Sequence, residues 1–213
     1  MSPPFLSTIP VGPLQCNCTI LADPEAAEAV VIDPGDEPDR IVRALEATNC
    51  RTIALLHTHG HFDHIGGAAG VKRATGAAIR IHAADRPLYD ALEQQASFFG
   101  LSVEPPLPPD GDLADGESIP FGRFRLVAIH TPGHSPGSTC FRLGGEAPVL
   151  FSGDTLFRRS IGRTDLWGGD TDTILDSIRR KLFVFPEGLR VVCGHGPDTT
   201  IGDERRSNPF AAL

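Results

Sequence analysis

A chain of 213 residues with 40% hydrophobic content can bury one substantial core, so neither a disulfide framework nor a repeat array is needed. Its formal charge of −8 repels phosphate polymers and argues against a nucleic-acid partner, and its apolar runs, at residues 29–32 and 52–56, are far too short to span a bilayer. Five cysteines, an odd number, and a start (Met1-Ser2-Pro3-Pro4) with no basic region ahead of an apolar one point to a soluble protein in a reducing, cytoplasmic setting.

Alternating apolar segments over residues 5–11, 16–21 and 28–32 predict three strands, the last ending at the turn Asp33-Pro34-Gly35. Cys16 and Cys18 fall on one face of the second strand and, with no other pair at zinc spacing, read as buried thiols. Ile41, Val42, Ala44 and Leu45 predict a helix over residues 36–48, with Pro38 in its first turn, where the missing donor costs little. A buried strand over 52–56, a helix over 65–75, a strand over 78–81 and a helix over 84–97 follow. Enrichment in Pro, Gly and Asp over 103–120 predicts a surface excursion. Strands over 124–129, 139–143 and 149–151, a helix over 171–183 and a strand over 189–193 complete the pattern. Such a chain is expected to form one α/β domain over residues 1–213, with two sheets packed together and helices outside, although periodicity alone leaves an ordinary doubly wound sheet open.

The chemistry concentrates where strands end. His57-Thr58-His59-Gly60-His61-Phe62-Asp63-His64 directly follows the apolar strand over 52–56, a position where a rigid scaffold presents functional groups. With only Gly60 between them, His59 and His61 can converge on one ion, while Asp63 and His64 reach a second position. Imidazole with carboxylate suits Zn, Fe, Mn or Co. Further donors follow later strands beside Gly or Pro: His134 in Thr131-Pro132-Gly133-His134, Asp154 in Ser152-Gly153-Asp154 and His195 in Gly194-His195-Gly196. Any one of these alone reads as a solvated loop residue; four donors in one loop and three at matching strand ends read as a metal site. His57, His82 and His130 fit lesser roles: a support for the loop, a helix entry and a strand end.

His59-Gly60-His61-Phe62-Asp63-His64 followed by His134, Asp154 and His195 in that order resembles the metallo-β-lactamase superfamily over nearly the whole chain. The resemblance implies an αββα sandwich in which His59, His61 and His134 hold one divalent ion, Asp63, His64 and His195 hold a second, and Asp154 bridges them. Zinc is the expected metal, with iron or manganese as alternatives. His64, where the antibiotic-degrading branch has Arg, together with Gly162-Arg163-Thr164-Asp165 and Gly194-His195-Gly196-Pro197, is similar to the small glyoxalase II-like hydrolases. Only 17 residues follow Gly196, so the helical C-terminal domain that helps full-length glyoxalase II bind glutathione is expected to be absent.

The implied activity is hydrolysis, by metal-activated water, of a thioester such as S-lactoylglutathione, with Asp63 orienting the nucleophile and carrying its proton. Arg158, Arg159 and Arg163 follow Asp154 closely, and Arg158 and Arg163 are candidates to dock a substrate carboxylate; equally, Arg163 and Asp165 could pair to brace a loop. Two alternatives stay open at this point: a mononuclear iron dioxygenase acting on glutathione persulfide, similar in the Gly162 to Asp165 stretch and the first-site ligands, and a catalytically idle metal-binding module acting through partners. The acidic charge counts against RNA processing, a further activity of the family.

Overall fold

The computed structural model describes residues 2–212. Its first six strands, β1 (Phe5–Val11), β2 (Cys16–Asp23), β3 (Glu28–Ile32), β4 (Arg51–Leu56), β5 (Ala78–His82) and β6 (Gly111–Leu113), lie side by side in chain order. β1, β2 and β3 form an antiparallel meander. From β3 onward the pairs are parallel, because helical connections carry the chain back before each new strand begins. Those connections are α1 (Pro38–Glu46), then α2 (Phe62–Ile65) with α3 (Ala68–Thr75), then α4 (Arg86–Asp90) with α5 (Leu92–Phe98).

The second sheet contains β7 (Ser118–Phe121), β8 (Phe124–His130), β9 (Thr139–Leu143), β10 (Val149–Gly153), β13 (Arg190–Cys193) and β14 (Thr199–Thr200), in the spatial order β14-β13-β10-β9-β8-β7. β8 and β10 are both antiparallel to β9, and β13 is parallel to β10, so β8, β10 and β13 all end at one edge. A small hairpin of β11 (Leu156–Phe157) and β12 (Ser160–Ile161) follows β10; α6 (Thr171–Ser177) and α7 (Ile201–Ser207) cover the sheet's outer face.

Burial explains the four layers. All eight residues of β2 are buried, as a strand covered on both faces requires. Its Cys18 and Ile20 pack toward Ile41, Val71 and Tyr89 of the helical layer, while Leu21 joins Val30, Leu56, Phe121, Phe141 and Phe151 between the sheets. A third cluster, including Leu150, Ile174, Ile178 and Ile201, seals the second sheet against its helices. Emptying the middle layer by Phe141→Ala would cost about 3–5 kcal/mol, enough to loosen both sheets at once. The arrangement is the expected sandwich of two mixed sheets flanked by helices.

Several boundaries differ from expectation. The stretch over 103–120 is not purely loop: β6 and β7 lie within it and complete the outer edges of the two sheets. Short strands carrying Gly111 and Pro120 are tolerated there because an edge needs only one set of ladder bonds. The helix expected over 84–97 is a 3₁₀ turn over Ala83–Asp85 followed by α4 and α5, which separate at Ala91. That expected over 171–183 ends as α6 at Ser177 and passes into a π-helical turn, Ile178–Leu182. The helix expected over 65–75 divides at Gly66 and Gly67, where added Cβ atoms would lie 2.7 Å from the Gly35 carbonyl and 2.8 Å from that of Pro34. These two glycines let the turn after β3 lean against the ligand-bearing helix. β14 and α7 had no counterpart in the sequence reading. No helix among the described residues is long and apolar enough to cross a membrane.

One ion pair ties the sheets together at the end of β2. Buried Asp23 accepts from the Arg123 backbone N–H at 2.8 Å, from its Nε at 2.9 Å and from Nη2 at 2.8 Å. These hydrogen bonds, chiefly those from the guanidinium, lower the Asp23 pKa to about 2. Because the folded value lies below the unfolded one, the stabilisation is complete above about pH 4 and is lost as the pH falls through the folded value. Asp23→Asn is therefore expected to flatten the acid limb of stability in this window, measured by urea unfolding at a series of pH values; an unchanged limb would show that the clamp contributes nothing.

Candidate metal centre

Every sequence-predicted donor lies at the edge where β4, β8, β10 and β13 end. The loop after β4 supplies His59 and His61, α2 supplies Asp63 and His64, and the turns after β8, β10 and β13 supply His134, Asp154 and His195. Backbone contacts bind the two sheets here: Thr139 N–H donates to Thr58 O at 2.7 Å, Asn17 N–H donates to Gly194 O at 2.8 Å, and Cys16 pairs with His195 in an isolated bridge.

The seven side chains form two adjoining clusters. In the first, His134 Nε2 lies 2.9 Å from His61 Nδ1 and 3.2 Å from His59 Nε2. In the second, His195 Nε2 lies 3.2 Å from His64 Nε2 and 3.1 Å from Asp63 Oδ2. The Asp154 carboxylate stands between them, with Oδ1 3.4 Å from His64 Nε2 and Oδ2 3.7 Å from His134 Nε2 and 3.8 Å from His195 Nε2. Bonds of 2.0–2.1 Å to a tetrahedral ion would place neighbouring donors about 3.3 Å apart, so the spacing matches a shared cation.

The orientation of the imidazoles gives a second test. His64 Nδ1 faces Asp33 Oδ2 at 2.9 Å, His134 Nδ1 faces the Arg163 carbonyl at 2.8 Å, and His195 Nδ1 faces the Leu14 carbonyl at 2.9 Å. Thr58 Oγ1 donates to Asp33 Oδ2 at 2.6 Å, which leaves its lone pair to accept from His59 Nδ1 at 3.1 Å. With Nδ1 as donor in all four rings, each Nε2 is the atom turned to the centre, the arrangement by which outer hydrogen bonds prepare histidine for a metal. Asp154 Oδ1, buried with no hydrogen-bond partner, is likewise an anion in want of a cation.

Electrostatics favour neutral rings in the first cluster, whereas in the second the nearby anionic groups overcome burial and hold His64 and His195 above their ordinary pKa, so a cation bound there displaces protons. Burial, reinforced by the neighbouring His64 and His134, holds the His59 pKa well below its ordinary value, and burial with His134 lowers that of His61 to about 3. Both rings are neutral at pH 7, so a cation displaces no proton from them. Burial opposes charge on Asp154 and Asp63, but His64 and His195 together, joined by His134 at Asp154, outweigh it and both carboxylates sit below the usual range. Gly194 is required by this crowding: a Cβ there would lie 2.1 Å from Asp154 Oδ1.

The remaining candidates are placed as follows. Arg163 pairs with exposed Asp165 through two bonds of 2.7 Å, and its backbone carbonyl rather than its guanidinium touches the centre. Arg158 is exposed, and the side chain of Arg159 is likewise outside the clusters. His57 is buried with Nδ1 3.2 Å from the His64 carbonyl, supporting the loop. His82 and His130 stack on one another at 4.0 Å, away from the clusters.

Sequence reasoning missed two acids. Asp33, which it took only as a turn, adopts φ of +51° at the end of β3 and accepts from both the backbone and the hydroxyl of Thr58 as well as facing His64. Its position after an apolar strand adjacent to β4 was the available signal. Asp85, assigned to a helix, is fully buried and accepts from Gly60 N–H at 2.8 Å, Gly137 N–H at 2.5 Å and Ser135 Oγ at 2.7 Å. It thereby ties the His59–His61 loop to the His134 turn, and nothing local in the sequence announces it.

The sequence profile of the Metallo-beta-lactamase superfamily matches residues 11–195. The chain belongs to this superfamily. Within it, the chain is 40% identical over 207 residues to "Hydroxyacylglutathione hydrolase GloC" of Haemophilus influenzae, covering 96% of this chain and 97% of that protein. Two crystal structures, each 40% identical, are similar throughout: BLEG-1 B3 metallo-beta-lactamase, with a TM-score of 0.90 over 98% of this chain and 100% of that one, and TTHA1623 in a di-iron-bound form, with a TM-score of 0.86 over 97% and 99%. As a metallo-beta-lactamase fold with His and Asp clusters at its loop edge, the chain is built to bind divalent metal.

Removing the Asp85 tether tests how the first cluster is held. Asp85→Ala is expected to weaken divalent-metal binding by the His59, His61 and His134 cluster about 10–100-fold, measured by chelator competition, and to leave any binding by the second cluster unchanged. Equal weakening at both sites would show that Asp85 supports the fold in general rather than the first cluster.

Proposed function

We propose that this superfamily member is a metal-dependent hydrolase of thioesters, of the glyoxalase II-like type, with S-lactoylglutathione as a representative substrate. The observation that carries this reading is the Asp154 carboxylate facing donors of both clusters, His134 at 3.7 Å and His195 at 3.8 Å, which suits two ions side by side rather than one. The thioester comes from the likeness to the Haemophilus influenzae hydrolase along almost the full length of both chains.

In this reading His59, His61 and His134 would hold one ion, Asp63, His64 and His195 would hold the other, and Asp154 would serve both. Zinc is the metal proposed, with iron or manganese as alternatives; the di-iron form of a 40% identical neighbour makes iron the nearest competitor. Two such ions supply Lewis acidity and lower the pKa of coordinated water from 15.7 to about 7. The chain's own groups do the rest. The Asp63 carboxylate, partly exposed at the mouth, orients the attacking water and takes its proton. The hydrogen bonds that Nδ1 donates to Asp33 and to the carbonyls of Leu14 and Arg163 keep the metal-binding rings from turning as charge develops on the carbonyl oxygen. Arg158, exposed and without an ion-pair partner among the described residues, docks a substrate carboxylate. Arg163 can join it by exchanging Asp165, because an exposed pair of this kind is worth little. Free thiols at all five cysteines suit a reducing, cytoplasmic setting.

The test combines metal quantification with oxygen-free thiol release. Two ions per chain and release of glutathione from S-lactoylglutathione are expected, with Asp154→Ala or His195→Ala lowering kcat/KM by more than about 100-fold, beyond the loss typical of an outer hydrogen-bond partner. Two ions bound with no thioester cleaved would overturn the proposal, and oxygen uptake with glutathione persulfide would replace it with the dioxygenase.

A further inference from the structure

Beside Asp63 lies a cavity of about 200 Å³, separate from the strand edge that bears Asp154 and Arg158. Its apolar walls include Leu14, Phe62, Leu101 and Val103, brought together from the β1–β2 turn, the start of α2 and the segment after α5. Two of these walls are continuous with the second cluster: the Leu14 carbonyl is the acceptor 2.9 Å from His195 Nδ1, and Phe62 immediately precedes Asp63. Asp63 itself lines the cavity while its Oδ2 faces His195 at 3.1 Å. A group bound here is therefore adjacent to the reacting centre.

Size and charge define what fits. A pocket for a whole ligand typically encloses about 300–1,000 Å³, whereas an apolar cavity of roughly 150 Å³ suffices for a benzene ring, so this one takes a single substituent. Its ionisable lining residues are Asp36, Asp63 and Glu104, and no Lys or Arg lines it. Two neighbouring cations are engaged elsewhere: Arg73 by both oxygens of Glu104, and Arg40 by Glu37 and the Pro10 carbonyl. A carboxylate entering this space would meet like charge and no donor cation, which excludes either carboxylate arm of glutathione. Behind the Phe62 wall, Phe99, 58% exposed, extends the apolar surface, its ring centroid 4.8 Å from that of Phe62.

We propose that this cavity is the acyl subsite, and that it selects thioesters whose acyl group is uncharged, apolar and about the size of a short alkyl chain or one aromatic ring, larger than lactoyl. The assignment rests on the thioester hydrolase reading. It places the acyl group against Val103 and Leu14 and sends the thiol carrier, with its carboxylates, toward the opposite rim and Arg158.

The experiment compares acetyl, butyryl and hexanoyl thioesters of glutathione, together with titration of hexanamide, a neutral amide that cannot release thiol, into the metal-loaded protein by calorimetry. Val103 touches no donor of the centre, and Val103→Trp fills the cavity from an exposed-side loop. For the unaltered protein, kcat/KM is expected to rise by up to about fourfold per methylene until the cavity is full. Val103→Trp should erase that rise, so that hexanoyl loses its advantage over acetyl, and abolish hexanamide binding. A flat acyl series, an equal loss on acetyl and hexanoyl substrates, or hexanamide binding unchanged in Val103→Trp would overturn the subsite. Should no thioester be cleaved, the hydrolase reading falls, and hexanamide titration of the two proteins still decides whether the cavity takes an apolar guest.

Discussion

A lone pair has a direction, and at this centre four imidazoles have theirs set from behind. Asp33, Thr58 and the carbonyls of Leu14 and Arg163 each engage an Nδ1, so that Nε2 of His64, His59, His195 and His134 points inward. Without those acceptors the rings could rotate or exchange tautomers, and a donor set with correct spacing would lack correct aim. The rest of the architecture can be understood as the means of bringing these acceptors, from opposite ends of the chain, behind rings carried on different strands.

This explains why polar groups are buried so densely at one edge of an otherwise apolar sandwich. Asp33, Thr58, Asp85 and Ser135 are all almost fully buried, each held by several hydrogen bonds, so their burial costs little once the network is complete. Among the described residues two buried side-chain polar atoms lack a partner, His57 Nε2 beneath the loop and Asp154 Oδ1, and the latter sits where a cation belongs. Local conflict at a functional edge, offset by a well-packed core elsewhere, is the pattern expected of a chain whose site and fold make opposing demands. Asp33 shows the same trade in its backbone, held at a positive φ by the turn that delivers its carboxylate.

What the sequence made legible was whatever is written in consecutive residues. The His59 to His64 run is its own signature, and strands such as β2 and β3, buried on both faces, announce themselves as apolar runs. The donors His134, Asp154 and His195 were readable because each follows a strand and stands by Gly or Pro. Asp85 was not, because its partners Gly60, Ser135 and Gly137 are 25 to 52 positions away and meet it only in space. β6 and β7 escaped notice for a different reason: edge strands of three and four residues carry too few side chains to show a period. The separation of α4 from α5 at Ala91 has neither Gly nor Pro at the junction to mark it.

The contact between His195 and the Leu14 carbonyl spans 181 positions. During synthesis the carbonyl behind His134 is available once Arg163 has emerged, whereas the second cluster must wait for His195. Chains grow N-terminal end first, so the β1–β2 turn stays without its partner throughout that interval. The order in which the ribosome releases the two halves is therefore the order in which the donors of the two clusters, and the acceptors behind them, become available.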